Sequence, residues 1–224
     1  MGEAIGQSLP IAVGVALSPL PIVAVVLMLA TPRGRANGIA FVLAWLVAVF
    51  AACLVIVLVT GDSATSDGQP ADGVSWVKLV LGVLLLGVGV RQWRGRPHGD
   101  EEAGFPKWMR ALDTFTWPRA AGAAVVLSLV NPKNLLLVVA GAAAIAQTDP
   151  SSADAVVAAA VFAVIATVGV ALPLGVYVAA GDRAPQLLER MKDWLAHNNA
   201  VILSVIILII GFKLIGDAIA GLSI

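Results

Sequence analysis

Leu129-Val130-Asn131-Pro132-Lys133-Asn134 sits in the middle of an apolar run from about Ala120 to Ala146. A run of that length would form one bilayer-crossing helix if nothing interrupted it. Proline lacks the backbone donor and clashes with the turn before it, so the helix should open at Pro132. A second run, from about Ala4 to Ala30, contains Ala16-Leu17-Ser18-Pro19-Leu20-Pro21-Ile22. Pro19 and Pro21 should open that helix in the same way. Asn131 and Asn134 offer side chains to bond the freed carbonyls. Two interrupted helices, at similar depth in two halves of a chain, point to a transporter's binding site.

The rest of the composition fits that frame. Of 224 residues, 59% are apolar and 12% charged, and the mean hydropathy is +0.94. A soluble domain carries about twice that share of charge. A soluble enzyme, a disordered chain and a coiled coil are therefore excluded. Net charge is zero, so bulk charge says nothing about acidic or nucleic-acid partners; for a membrane domain no nucleic acid is expected as a partner. Four more apolar runs can cross about 30 Å of hydrocarbon. They run from about Ile39 to Thr60, Val74 to Val90, Ala155 to Ala180 and Ala200 to Ala220. Backbone groups cannot stay unpaired in lipid, so these runs should be helices. The expected fold is an all-α integral membrane protein with six transmembrane helices, the first and fourth broken.

Lysine and arginine alternate between the connections. The loop after the first run holds Arg33 and Arg35. The connection after the third holds Arg91, Arg94, Arg96, Lys107, Arg110 and Arg119. The one after the fifth holds Arg183, Arg190 and Lys192. The intervening loops, 61–73 and 147–154, hold none and carry Asp62, Asp67, Asp72, Asp149 and Asp154. Eleven cations on one side against none on the other place that side in the cytoplasm. The expectation is a multi-pass plasma-membrane protein with both termini outside. Met1-Gly2-Glu3 lacks a basic leader, and the first run is too long for a cleavable signal peptide.

The long third connection divides the chain into a first three-helix repeat (1–94), a cytoplasmic connection with an amphipathic helix (95–117) and a second three-helix repeat (118–224). Three is odd, so homologous halves would insert in opposite senses, as an inverted-topology repeat. Internal echoes agree: Ser18-Pro19 with Asn131-Pro132, Gly61-Asp62 with Gly181-Asp182, and Leu85-Leu86-Gly87 with Ile209-Ile210-Gly211. Pro10 and Pro118 lie nearer helix ends, where proline starts helices. Phe105, Trp108, Met109, Leu112 and Phe115 recur at helical spacing, and so do Leu187, Leu188, Met191, Trp194 and Leu195. Both read as amphipathic helices on the inner leaflet, or as connectors with aromatic anchors.

The expected substrate-binding residues are Ser18, Pro19, Pro21, Asn131, Pro132, Lys133 and Asn134. Lys133 is the one charge placed deep in an apolar run; it would either neutralise an anionic group or bond the freed carbonyls of the break. The two half-helix N-termini should add free N–H groups. Lys78 reads as snorkelling to the outer surface. Lys213 and Asp217, one turn apart, read as a local ion pair. Cys53 alone can form neither a disulfide nor a dithiol relay. No carboxylate falls mid-span, no phosphate loop is present, and His98 and His197 lie in connections. No metal, cofactor or catalytic group is expected, and the chain does not read as an enzyme.

With its six runs in a three-plus-three order and its Ser-Pro-Leu-Pro and Asn-Pro-Lys-Asn elements, the chain resembles the lysine exporter superfamily. The likeness is to its actinobacterial GAP/Sap branch of peptidoglycolipid- or sulfolipid-addressing proteins, over nearly the whole chain. The resemblance implies a part in moving envelope glycolipids to the cell surface, beside large lipid exporters. Branches that carry redox equivalents need two membrane cysteines, and cation branches need intramembrane acids or histidines. Three readings follow. The chain exports an envelope glycolipid or related anionic lipid by alternating access. It exports an amino acid or another small anionic or zwitterionic solute. Or it is a non-transporting accessory subunit docked on a lipid exporter. Gly82, Gly87 and Gly89 allow close helix packing, within one chain or across a homodimer.

Overall fold

The computed structural model describes residues 1–64, 72–94 and 114–222. Eight α-helices occupy these residues, with no strand among them: α1 (Gly2–Ala16), α2 (Pro19–Leu29), α3 (Gly34–Ala64), α4 (Asp72–Arg94), α5 (Trp117–Val125), α6 (Pro132–Ala146), α7 (Ser152–Ala179) and α8 (Ala184–Gly221). A π-helical turn, Val126–Val130, joins α5 to the break before α6. A short 3-10 turn, Gly181–Arg183, joins α7 to α8.

Both expected interruptions are present. The chain bends by 51° between α1 and α2, and by 67° between the α5–π segment and α6. Each new helix starts with proline at its first position, Pro19 in α2 and Pro132 in α6. Three helical stretches are long and apolar enough to cross a membrane: Gly34–Thr60, Ser152–Ala179 and Ser204–Gly221. Each bent pair also qualifies when taken as one span, giving up to five. α4 occupies the third expected run.

α1 packs on α6 and α7, α3 packs on α5, α6 and α7, and α4 pairs with α8. Small residues permit this. α7 buries Ala155, Ala158, Ala159, Ala163 and Ala166 along one stripe, the pattern that lets membrane helices approach closely. Gly141 of α6 leaves room for the ring of Phe162, which a Cβ would strike. Trp45 stacks on Phe41 inside α3, with ring centroids 6.0 Å apart. One end of the bundle brings the Met1 amine within 3.5 Å of Asp154 Oδ2. At the other, Asn37 Nδ2 donates to Phe115 O at 2.9 Å.

Three sequence expectations are corrected. The segment after α7 is not a separate surface helix: α8 runs unbroken for 38 residues. No proline or glycine falls between Pro185 and Gly211 to stop it, and Leu188 and Leu195 are buried in the core. Pro10 does not start a helix, because α1 already begins at Gly2 and runs through it. Gly61-Asp62 and Gly181-Asp182 are not equivalent. α3 continues through Gly61 to Ala64, whereas Gly181 adopts φ +52° and ends the helical run of α7. Pro118 does sit in the first turn of α5. The expected amphipathic residues Phe105, Trp108, Met109 and Leu112, and the loop residue Asp67, lie outside the described residues.

Candidate functional site

The backbone is what breaks first. In α1, the Gly14 carbonyl would normally accept from Ser18 N. Ser18 N instead turns back to Val15 O at 3.2 Å, and Gly14 O loses its helical donor. In the fourth run, Asn131 N bonds Val126 O at 3.2 Å, five residues back. That leaves Leu127 O, whose next donor in a π register would be residue 132, a proline with no N–H.

Side chains fill both gaps and tie the two breaks together. Asn134 Nδ2 donates to Leu127 O at 2.9 Å. Ser18 Oγ donates to Asn134 Oδ1 at 2.6 Å. Lys133 Nζ donates to Ser18 Oγ at 2.8 Å and reaches toward Gly14 O at 3.5 Å. Ser18 and Asn134 are buried, and Lys133 is partly buried. Three of the seven expected residues therefore meet directly: Ser18, Lys133 and Asn134. Asn131 takes another role and caps α6 by accepting from Lys133 N at 3.2 Å. Pro19 and Pro21 are buried and Pro132 is exposed. The prolines act through the backbone they interrupt.

The half-helix N-termini differ from expectation. Prolines occupy two of the first three positions of α2 and the first of α6, and each lacks an N–H. Asn131 already caps the Lys133 amide. Few free donors remain for an anion there, so the positive charge of the site rests mainly on the Lys133 ammonium. Among the described residues no carboxylate lies within 4.0 Å of that ammonium. Its two partners are neutral oxygens, and an ammonium has three donors. An unpaired cation in a low-dielectric setting favours an incoming anionic group.

Sequence reasoning missed Gly169. A Cβ at this position would collide with the Ala16 carbonyl at the end of α1. α7 is thus pressed backbone to backbone against the first break. Only a glycine amid β-branched neighbours could have signalled it. An open apolar groove of about 550 Å³ runs along α3 beside α5 and the π turn, lined by Ala44, Ala48, Ala51, Ala52, Val125 and Leu129 among others. Lys78 does not snorkel. It is 1% exposed and points at Asp217 on α8, 3.9 Å away. The Lys213–Asp217 pair is present at 2.6 Å. Cys53 is buried in the core, and no cluster of metal ligands occurs among the described residues.

A family model described as "Sap, sulfolipid-1-addressing protein" matches residues 9–220. Comparisons with curated proteins and with solved structures give no match.

Proposed function

The chain belongs to the sulfolipid-1-addressing (Sap) family, and from that premise we propose that it is a membrane carrier exporting an anionic envelope glycolipid by alternating access about its two broken helices. The observation that carries this reading is the Lys133–Ser18–Asn134 chain, which joins both breaks in one cluster. A cation with no carboxylate partner among the described residues stands where two half-helices meet. An anionic headgroup would replace Ser18 as its partner, and the breaks would part as it does so. The apolar groove beside the π turn supports a lipid over a small solute, because it offers acyl chains a lateral seat.

An inverted repeat of three spans plus three is part of this reading. Exchanging α1–α2 with α5–α6, α3 with α7, and α4 with α8 pairs most of the observed contacts. α2 packs on α3, α7 and α8, while α6 packs on α7, α3 and α4. The same exchange supports counting α4 as the sixth span. Outward-facing termini follow from the cation count. They agree with Met1 and Asp154 sharing one end and Asn37 and Phe115 the other.

One observation favours a second reading. The cluster is closed on itself by direct hydrogen bonds, as a filled core in an accessory subunit of a lipid exporter would be. Outer-envelope lipid profiles separate the two. Cells carrying Lys133→Met in place of the wild type should lose surface glycolipid while keeping the folded protein. Normal surface lipid with Lys133→Met would remove Lys133 from the transport path and leave the accessory reading.

A further inference from the structure

Where α4 meets α8, one carboxylate serves two ammonium groups. Asp217 Oδ2 lies 2.6 Å from Lys213 Nζ and 3.9 Å from Lys78 Nζ. Lys213 and Asp217 are about a third exposed, while Lys78 is 1% exposed. Among the described residues no other carboxylate comes within 4.0 Å of either ammonium. One turn before Lys78, the hydroxyl of Ser75 is buried with no hydrogen-bond partner. It lies against Gly221, one turn beyond Asp217.

The helix pair packs closely beside Lys78. α4 and α8 run antiparallel and cross at two glycines. A Cβ on Gly82 would stand 3.0 Å from Gly211 O, and one on Gly211 would stand 3.2 Å from Gly82 O. This crossing lies one turn from Lys78. Among the described residues two cations share this one anion, and Lys78, 1% exposed, depends on it. The exposed flank of Lys213 is where a second counter-charge can enter.

We propose that this triad is an oxyanion site, separate from the helix breaks, for a phosphate or sulfate ester. The oxyanion takes the Lys213 ammonium from the exposed side, and Asp217 turns fully onto Lys78. With a singly charged ester bound, charge balances: two ammonium groups, one carboxylate and one monoanion.

The test uses the full chain in phosphatidylcholine nanodiscs. Inorganic phosphate and sulfate are titrated in one arm, and phosphatidylglycerol is added to the disc in the other. Thermal unfolding and native mass spectrometry report binding. Wild type should bind, and Lys213→Gln should weaken binding by about tenfold or more, with Lys213→Arg restoring it. Asp217→Asn should tighten binding, because the competing carboxylate is gone; a merely structural ion pair predicts no gain. Binding in the first arm identifies a free oxyanion, and binding in the second arm alone identifies a lipid headgroup. Binding is also measured in the Lys133→Met background, and the part that survives there is the part assigned to the triad. No surviving binding in either arm, or unchanged surviving binding when Lys213→Gln is added, would overturn the proposal. None of these results depends on whether the chain transports lipid.

Discussion

Ser18 and Lys133 are 115 residues apart in the chain, and the Ser18 hydroxyl lies 2.8 Å from the Lys133 ammonium. The contact exists because each residue sits at a proline-made helix start, and the two starts face each other. Ser18 both accepts from Lys133 and donates to Asn134. It is the hinge pin of the cluster.

Removing Asn134 should cost stability at both ends of its amide. Asn134→Leu leaves Leu127 O without its side-chain donor and Ser18 Oγ without its acceptor. A buried polar group left unpaired costs about 1–3 kcal/mol. Thermal or denaturant unfolding in detergent should show a loss in that range; wild-type stability would mean that water or backbone shifts replace the amide.

Ser18→Ala should be milder for folding and adverse for function. Asn134 keeps its bond to Leu127 O, and Lys133 keeps only the longer contact to Gly14 O. A loss of about 1 kcal/mol in unfolding is expected. Transport should fall because the ammonium is no longer positioned. Full transport by Ser18→Ala would show that the hydroxyl does not orient Lys133.

Two glycines of α7 separate close packing from helix propensity. A Cβ at Gly169 strikes the Ala16 backbone carbonyl, while one at Gly175 meets nothing within 4 Å. Gly169→Ala should destabilise by about 1–3 kcal/mol through overpacking. Gly175→Ala should be neutral or stabilising by up to about 1 kcal/mol, the propensity gain of alanine in a helix. Equal effects at the two positions would contradict the tight α1–α7 contact.

The Lys133 charge should matter more than its bulk. Lys133→Arg keeps the cation and should retain part of the export, whereas Lys133→Met should abolish it. Surface glycolipid, normalised to folded protein in the membrane, reads the difference. Equal export by the two variants would remove the charge from the account.

Much of this arrangement was legible from local chemistry. Pro19 and Pro132 marked both breaks, since a missing donor acts within one turn whatever surrounds it. Asn134 bonds a freed carbonyl as its place beside the break suggests, whereas Asn131, expected to do the same, caps α6. What stayed hidden was tertiary. Lys78 reads as an end-of-helix lysine until α8 is packed beside it and brings Asp217 within reach. Gly169 cannot be told from the other glycines of an apolar helix until Ala16 is placed against it. The continuity of α8 through Asn198 was missed because polarity suggested a surface segment. The side chain of Asn198 instead donates to Trp194 O and stays within the helix.

The central claim is that the two breaks must part for cargo to pass. The direct measurement is export by a chain carrying Leu17→Cys and Leu135→Cys in a Cys53→Ala background, before and after crosslinking with a disulfide-containing thiol reagent. Both leucines are exposed and adjoin Ser18 and Asn134, whose side chains lie 2.6 Å apart, within reach of such a reagent. Export should stop on crosslinking and return on reduction. Undiminished export with the breaks held together would contradict the account.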